Sequence, residues 1–157
     1  PIASFTFAGV TGFITFNPVS SSYKVFDDIL IGKINSSGEL QWDNLLQLRQ
    51  TEKISSKSNK RDSSTFTFFS NNEINILING SIDEDKEELI VKQDKRPSKT
   101  NFYNITVNPH GGITPNILFS NKDSETIFRT ENAVMSDNII HILGQGNMRK
   151  QLLLLKI

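Results

Sequence analysis

The chain has 157 residues, with 17 Lys+Arg against 17 Asp+Glu, two His, one Trp and no Cys. That length supports one domain with a real core, and the balanced charge excludes bulk attraction to nucleic acid or an acidic membrane surface. The lack of Cys excludes disulfides, thiolate nucleophiles and cysteine metal sites, and no apolar run approaches the roughly 20 residues that span a bilayer.

The hydrophobic residues are unevenly chosen: 19 Ile, 13 Leu and 11 Phe against 3 Ala. Ala is the best helix former, whereas Ile and Phe suit a pleated, half-buried surface, so the choice favours an all-β chain. Short apolar or alternating runs separated by turn residues predict strands at 3–8, 12–17, 27–34, 39–46, 64–69, 73–80, 101–107, 112–119, 127–135, 138–144 and 151–157. Alternation is clearest in Phe5/Phe7, Phe66/Phe68 and Ile74/Ile76/Ile78. Asn35-Ser36-Ser37-Gly38 reads as a hairpin turn with Gly available for positive φ, and Asn108-Pro109-His110-Gly111-Gly112 does the same further on. The polar stretch 49–63 and the acidic run 83–88 read as exposed loops, with a short helix within 45–54 as the alternative for part of the first.

The chain also repeats itself. Ile29-Leu-Ile-Gly-Lys-Ile34, Phe102-Tyr-Asn-Ile-Thr-Val107 and Leu152-Leu-Leu-Leu-Lys-Ile157 align, and the first two lead into the two matching turns. Ser70-Asn-Asn-Glu-Ile-Asn-Ile-Leu-Ile-Asn-Gly80 aligns with Ser136-Asp-Asn-Ile-Ile-His-Ile-Leu-Gly-Gln-Gly146, and Gly12-Phe-Ile-Thr-Phe-Asn17 is a weaker copy. Element order is constant while loop length varies. Four antiparallel strands repeated at about 40–50 residues form the pattern of a β-propeller blade.

Asp27-Asp-Ile-Leu-Ile-Gly-Lys-Ile-Asn-Ser-Ser-Gly-Glu-Leu-Gln-Trp42 resembles the hairpin of bacterial β-propeller repeats, an Asp, a hydrophobic stretch, Lys, Gly and a closing Trp. Asp137-Asn-Ile-Ile-His-Ile-Leu-Gly-Gln-Gly146 resembles the strand that precedes it in those repeats. The resemblance implies an all-β fold of about two and three-quarter four-stranded antiparallel blades: blade 1 about 3–46, blade 2 about 64–119 and a partial last blade about 127–157. It implies a bacterial protein, extracellular or in the cell envelope, and a ring completed by further sequence or by other chains. Fewer than three blades cannot close, so apolar faces and unpaired edges are expected at the open ends.

Chemistry-bearing constellations are sparse. His110 and His141 lack the spacing of a metal site. Asp83, Asp85 and Glu88 begin like a calcium loop, but Glu88 stands where that loop needs Gly and Asp94 where it needs Glu. No G-x-S-x-G is present, and Gly144-Gln-Gly146 lacks the rest of a dinucleotide fingerprint. Lys53, Lys57, Lys60 and Arg61 lack the interleaved aromatics of a nucleic-acid groove. Neither a catalytic residue nor a metal site nor a cofactor is expected. Trp42, Tyr103 and His110 are the candidate contacts for a ligand or partner. The leading expectation is a non-enzymatic interaction or scaffold module whose partners are other protein chains or the remainder of the same propeller. The alternatives are a carbohydrate-binding or glycan-degrading propeller and a self-contained β-sandwich adhesin.

Overall fold

The structure is a computed structural model. It describes residues 28–49, 65–82, 89–92, 99–124, 126–146 and 150–157 in full, and the backbone alone for Ala3–Ser4, Gly12–Phe16, Ser21–Phe26 and 50–54. The described chain is almost entirely strand: β1 (Ala3–Ser4), β2 (Gly12–Phe16), β3 (Ser21–Phe26), β4 (Ile29–Ile34), β5 (Leu40–Ile54), β6 (Thr65–Ser70), β7 (Glu73–Ile82), β8 (Ile90–Lys92), β9 (Asn101–Val107), β10 (Ile113–Ser120), β11 (Ile127–Phe128), β12 (Val134–Ser136), β13 (Ile139–Gln145) and β14 (Lys150–Lys156). A single helical turn, Asn121–Ser124, follows β10, and a 3-10 turn, Thr130–Asn132, separates β11 from β12. Among the described residues no helix is long and apolar enough to cross a membrane.

The described strands form a ten-stranded and a four-stranded sheet; the larger comprises two antiparallel meanders joined through β8 and the smaller a third, and each meander is called a sheet below. In the first, β1 pairs with β2 and β2 with β3, while β3 and β4 together run along one side of the long β5. The register slips where β3 gives way to β4, and there the Asp28 carboxylate accepts the Leu48 backbone N–H (3.0 Å). In the second meander β7 pairs with β6 and β9, and β9 with β10. Pro115 lies on β10, an edge strand, where a missing N–H costs no ladder bond. In the third, β11 and β12 lie on one side of β13 and β14 on the other. The short β8 ties the first two together, parallel to β5 and antiparallel to β7.

The meanders pack face to face through two cores, because side chains alternate across each strand. Ile76 and Ile78 of β7 and Tyr103, Ile105 and Val107 of β9 meet Ile31, Leu46 and Leu48 of the first sheet. Their alternates Leu77 and Phe102, with Phe66, Phe68 and Phe119 alongside, meet Phe128, Ile140 and Ile142 of the third. The Phe119 ring stacks on Phe102 (5.1 Å) and meets Phe128 edge-on (5.0 Å). The central strands of the middle sheet, β7 and β9, are therefore covered on both faces. Buried polar bonds pin its seam with the third: Asn79 Nδ2 donates to the Phe128 carbonyl (2.6 Å), and Asn121 Nδ2 donates to Asn79 Oδ1 (3.1 Å) and Thr100 Oγ1 (2.8 Å).

The repeats seen in the sequence share backbone geometry. In each of the two hairpin turns an Asn carbonyl accepts the Gly N–H (3.0 Å at both Gly38 and Gly111). In each, the same Asn Oδ1 accepts two further backbone N–H groups, from Ser37 and Glu39 in one and His110 and Gly112 in the other. Gly38 and Gly111 have φ of 85° and 88°. Asn71-Asn72 and Asp137-Asn138 match too, all four at φ between 52° and 64°, a type I′ pair that Asn and Asp tolerate.

Three expectations need correction. Residues 49–54 are neither loop nor helix: β5 continues through them to Ile54, held by β3. A strand at Ser21–Phe26 was not expected and is present. The strand expected over 127–135 is broken by the 3-10 turn at Thr130–Asn132. The acidic run 83–88 lies outside the described residues.

Candidate functional site

The two hairpins of the repeat meet where the first and second sheets join. Trp42 on β5 is half-buried, and its indole Nε1–H donates to the Pro109 carbonyl (2.9 Å). Asn44 Nδ2 donates to the Gly111 carbonyl. A Cβ on Gly111 would stand 3.0 Å from the Trp42 ring, so the indole seats on a turn that only Gly allows to approach so closely.

Beside this contact lies a cleft of about 200 Å³ lined by Gly32, Lys33, Trp42, Phe69, Asn72 and Pro109 among others. Phe69, at the tip of the β6–β7 hairpin, is 68% exposed. Ile74, Val107 and Asn108 complete the lining, which among the described residues holds no carboxylate, imidazole or hydroxyl. It offers an aromatic face, amides and one ammonium, groups that contact and orient a ligand but supply no acid–base pair.

Of the sequence candidates, Trp42 lines this cleft. His110 is exposed in the turn that Trp42 touches, and Tyr103 is a core side chain whose hydroxyl accepts from Asn101 Nδ2 (3.1 Å). Phe69 and Lys33 were not singled out from sequence. Phe69 closes an apolar run whose members Phe66 and Phe68 face the core, and only the register shows that it faces the other way. Among the described residues no group of His, Asp and Glu gathers as a metal site.

The second feature lies on the outer faces of the β4–β5 hairpin and of β12–β14, which carry exposed apolar side chains. Leu30 stands opposite Leu45 and Ile34 opposite Leu40 on the β4–β5 hairpin, all more than half exposed. On the third sheet Leu143 stands opposite Leu152, with Leu154 and Val134 flanking His141. The repeat identifies what these positions become when covered. Leu143 (43% exposed) corresponds to Leu77 (1%), and Leu152 (61%) to Phe102 (0%). Leu30 (69%) corresponds to Tyr103 (4%), and Ile34 (65%) to Val107 (1%). Groups of exposed apolar side chains are a common feature of interaction surfaces.

Comparison with protein families, with curated proteins and with solved structures finds no match for this chain.

Proposed function

We propose that this chain is a non-enzymatic interaction module of the β-propeller type, its three meanders serving as blades and its two bare outer faces as the surfaces that join it to a larger protein assembly. One observation carries the reading: apolar positions buried in the middle sheet recur, exposed, at both ends of the stack. The equivalent turns and the constant facing of the repeats support blades laid in one direction. The resemblance to bacterial propeller repeats adds the cell envelope or exterior as the setting. The test is self-association and uptake of an apolar dye by the folded chain across a dilution series. The module should do at least one of the two at every concentration. A folded chain that stays monomeric and takes up no dye would overturn the reading.

A second reading is favoured by the cleft, where Phe69 stands exposed beside Trp42, with Asn72, Asn108 and Lys33 at its rim. Aromatic faces next to amide groups suit the apolar and hydroxyl faces of a sugar ring. Titration with oligosaccharides should then give binding that Phe69→Ala weakens, and no binding would remove it.

A further inference from the structure

The cleft between the first and second sheets is rich in donors and poor in acceptors. The Pro109 carbonyl on its wall already accepts from the Trp42 indole Nε1–H (2.9 Å) and from the Lys33 ammonium (3.5 Å). Asn108 Oδ1 accepts the His110 and Gly112 backbone N–H groups (2.9 Å each), which leaves its Nδ2 as a donor. Among the described residues the lining includes no carboxylate, so the Lys33 ammonium meets no opposite charge in the cleft. With its Nε1 committed, Trp42 offers ring surface alone, and Phe69 stands exposed beside the same opening. The repeat shows that joining two sheets does not require these side chains. At the next junction Lys33, Trp42 and Phe69 correspond to Thr106, Pro115 and Met135, although the turns Asn71-Asn72 and Asp137-Asn138 keep one geometry. The cation and both rings are thus particular to this cleft and not to the stacking of the sheets.

Resting on the sugar-binding reading of the cleft, we propose that it takes one uronic-acid residue of an acidic glycan, with the ring against Phe69 and Trp42 and the carboxylate on Lys33 Nζ. The apolar face of a sugar ring suits the two aromatic faces. The carboxylate brings acceptors to a site that supplies donors, and its bond to the ammonium is charge-assisted. A neutral sugar would fill the same space and leave the ammonium without a counter-charge. The cleft, at about 200 Å³, is smaller than the roughly 300–1,000 Å³ of sites for drug-sized ligands, so it holds one ring of a chain whose other residues lie outside.

Trp42 is the one Trp of the chain, so its fluorescence reads the cleft directly. The titration uses trisaccharides of galacturonate, glucuronate and mannuronate, each as the free acid and as its methyl ester, which keeps the ring and removes the charge. At least one free acid should change Trp42 emission saturably and bind about tenfold more tightly than its ester at low salt. That difference should shrink as salt rises, because the pair lies at an open rim. Lys33→Gln should lower the affinity of the free acid to that of the ester and leave the ester's own affinity unchanged. Lys33 is exposed, so this variant should melt as the parent does, which circular dichroism checks. Phe69→Ala should weaken both forms. A free acid and ester that bind alike, or a free acid indifferent to Lys33→Gln, would overturn the carboxylate on Lys33 and keep the sugar reading. Binding that Phe69→Ala leaves intact would place the sugar outside the cleft and overturn both, as would no binding by any member of the set.

Discussion

The middle sheet and the outer sheets are written in the same sequence pattern and end in different surroundings. β7 and β9 alternate apolar side chains toward both faces and are covered on both. β4 with the first half of β5, and β13 with β14, alternate in the same way and are covered on one face each. The difference lies in what is stacked on each strand. The same apolar pattern is thus buried or exposed according to what stacks on it.

The largest effect should follow a charge placed where both neighbours press. Ile76→Asp puts a carboxylate among the apolar side chains of the first core, at a cost of several kcal/mol, on the order of the whole stability of a small domain. Circular dichroism should show an unfolded or insoluble chain. A soluble, folded variant would break the assignment of that face.

Next come cavities. Phe102→Ala should cost about 3–5 kcal/mol, because the ring is fully buried against Phe119 and Phe128. Leu152→Ala, at the repeat-equivalent position, should change the stability of the single chain by less than about 0.5 kcal/mol. Denaturant titration of the two variants at low concentration sharpens the comparison, and equal losses would contradict it.

Two smaller effects probe the joints. Asn121→Ala removes donors to Asn79 and Thr100 at the seam of the second and third sheets and should cost about 1–3 kcal/mol. Gly111→Ala and Gly38→Ala both force a side chain onto positive φ, a strain of about 1–3 kcal/mol. Only at Gly111 would the new Cβ also press on Trp42 and Asn44, whereas nothing lies within 4 Å at Gly38. The Gly111 variant should therefore melt lower than the Gly38 variant and shift Trp42 fluorescence, and the Gly38 variant should leave that fluorescence unchanged.

Much of this architecture is legible in the sequence, and the exceptions have physical causes. β6, β7, β9, β10, β13 and β14 are apolar runs bounded by turn residues, and they stand within a residue or two of where alternation puts them. The matching turns were visible because Asn and Gly at fixed spacing serve one backbone geometry. β3 begins with two Ser, which read as turn formers. Residues 49–54 are mostly charged or polar, and their strand is held by pairing with β3, a non-local partner that local pattern does not encode. β8 is three residues long, too short to show a period. At the cleft, Trp42 was legible as a residue but its acceptor was not: the Pro109 carbonyl is 67 positions away and belongs to the next repeat. Tyr103 drew notice as an aromatic and proved to be core, because a strand's facing depends on which side its neighbour lies.

The most direct test of the stacked arrangement is amide hydrogen exchange followed along the whole chain in dilute solution. The account predicts the slowest exchange in Ile74–Gly80 and Asn101–Val107, the paired strands of the doubly covered sheet. It predicts faster exchange in β4 and β14, which are covered on one face only. Uniform protection across all three sheets in dilute solution, or end strands slower than the middle ones, would contradict it.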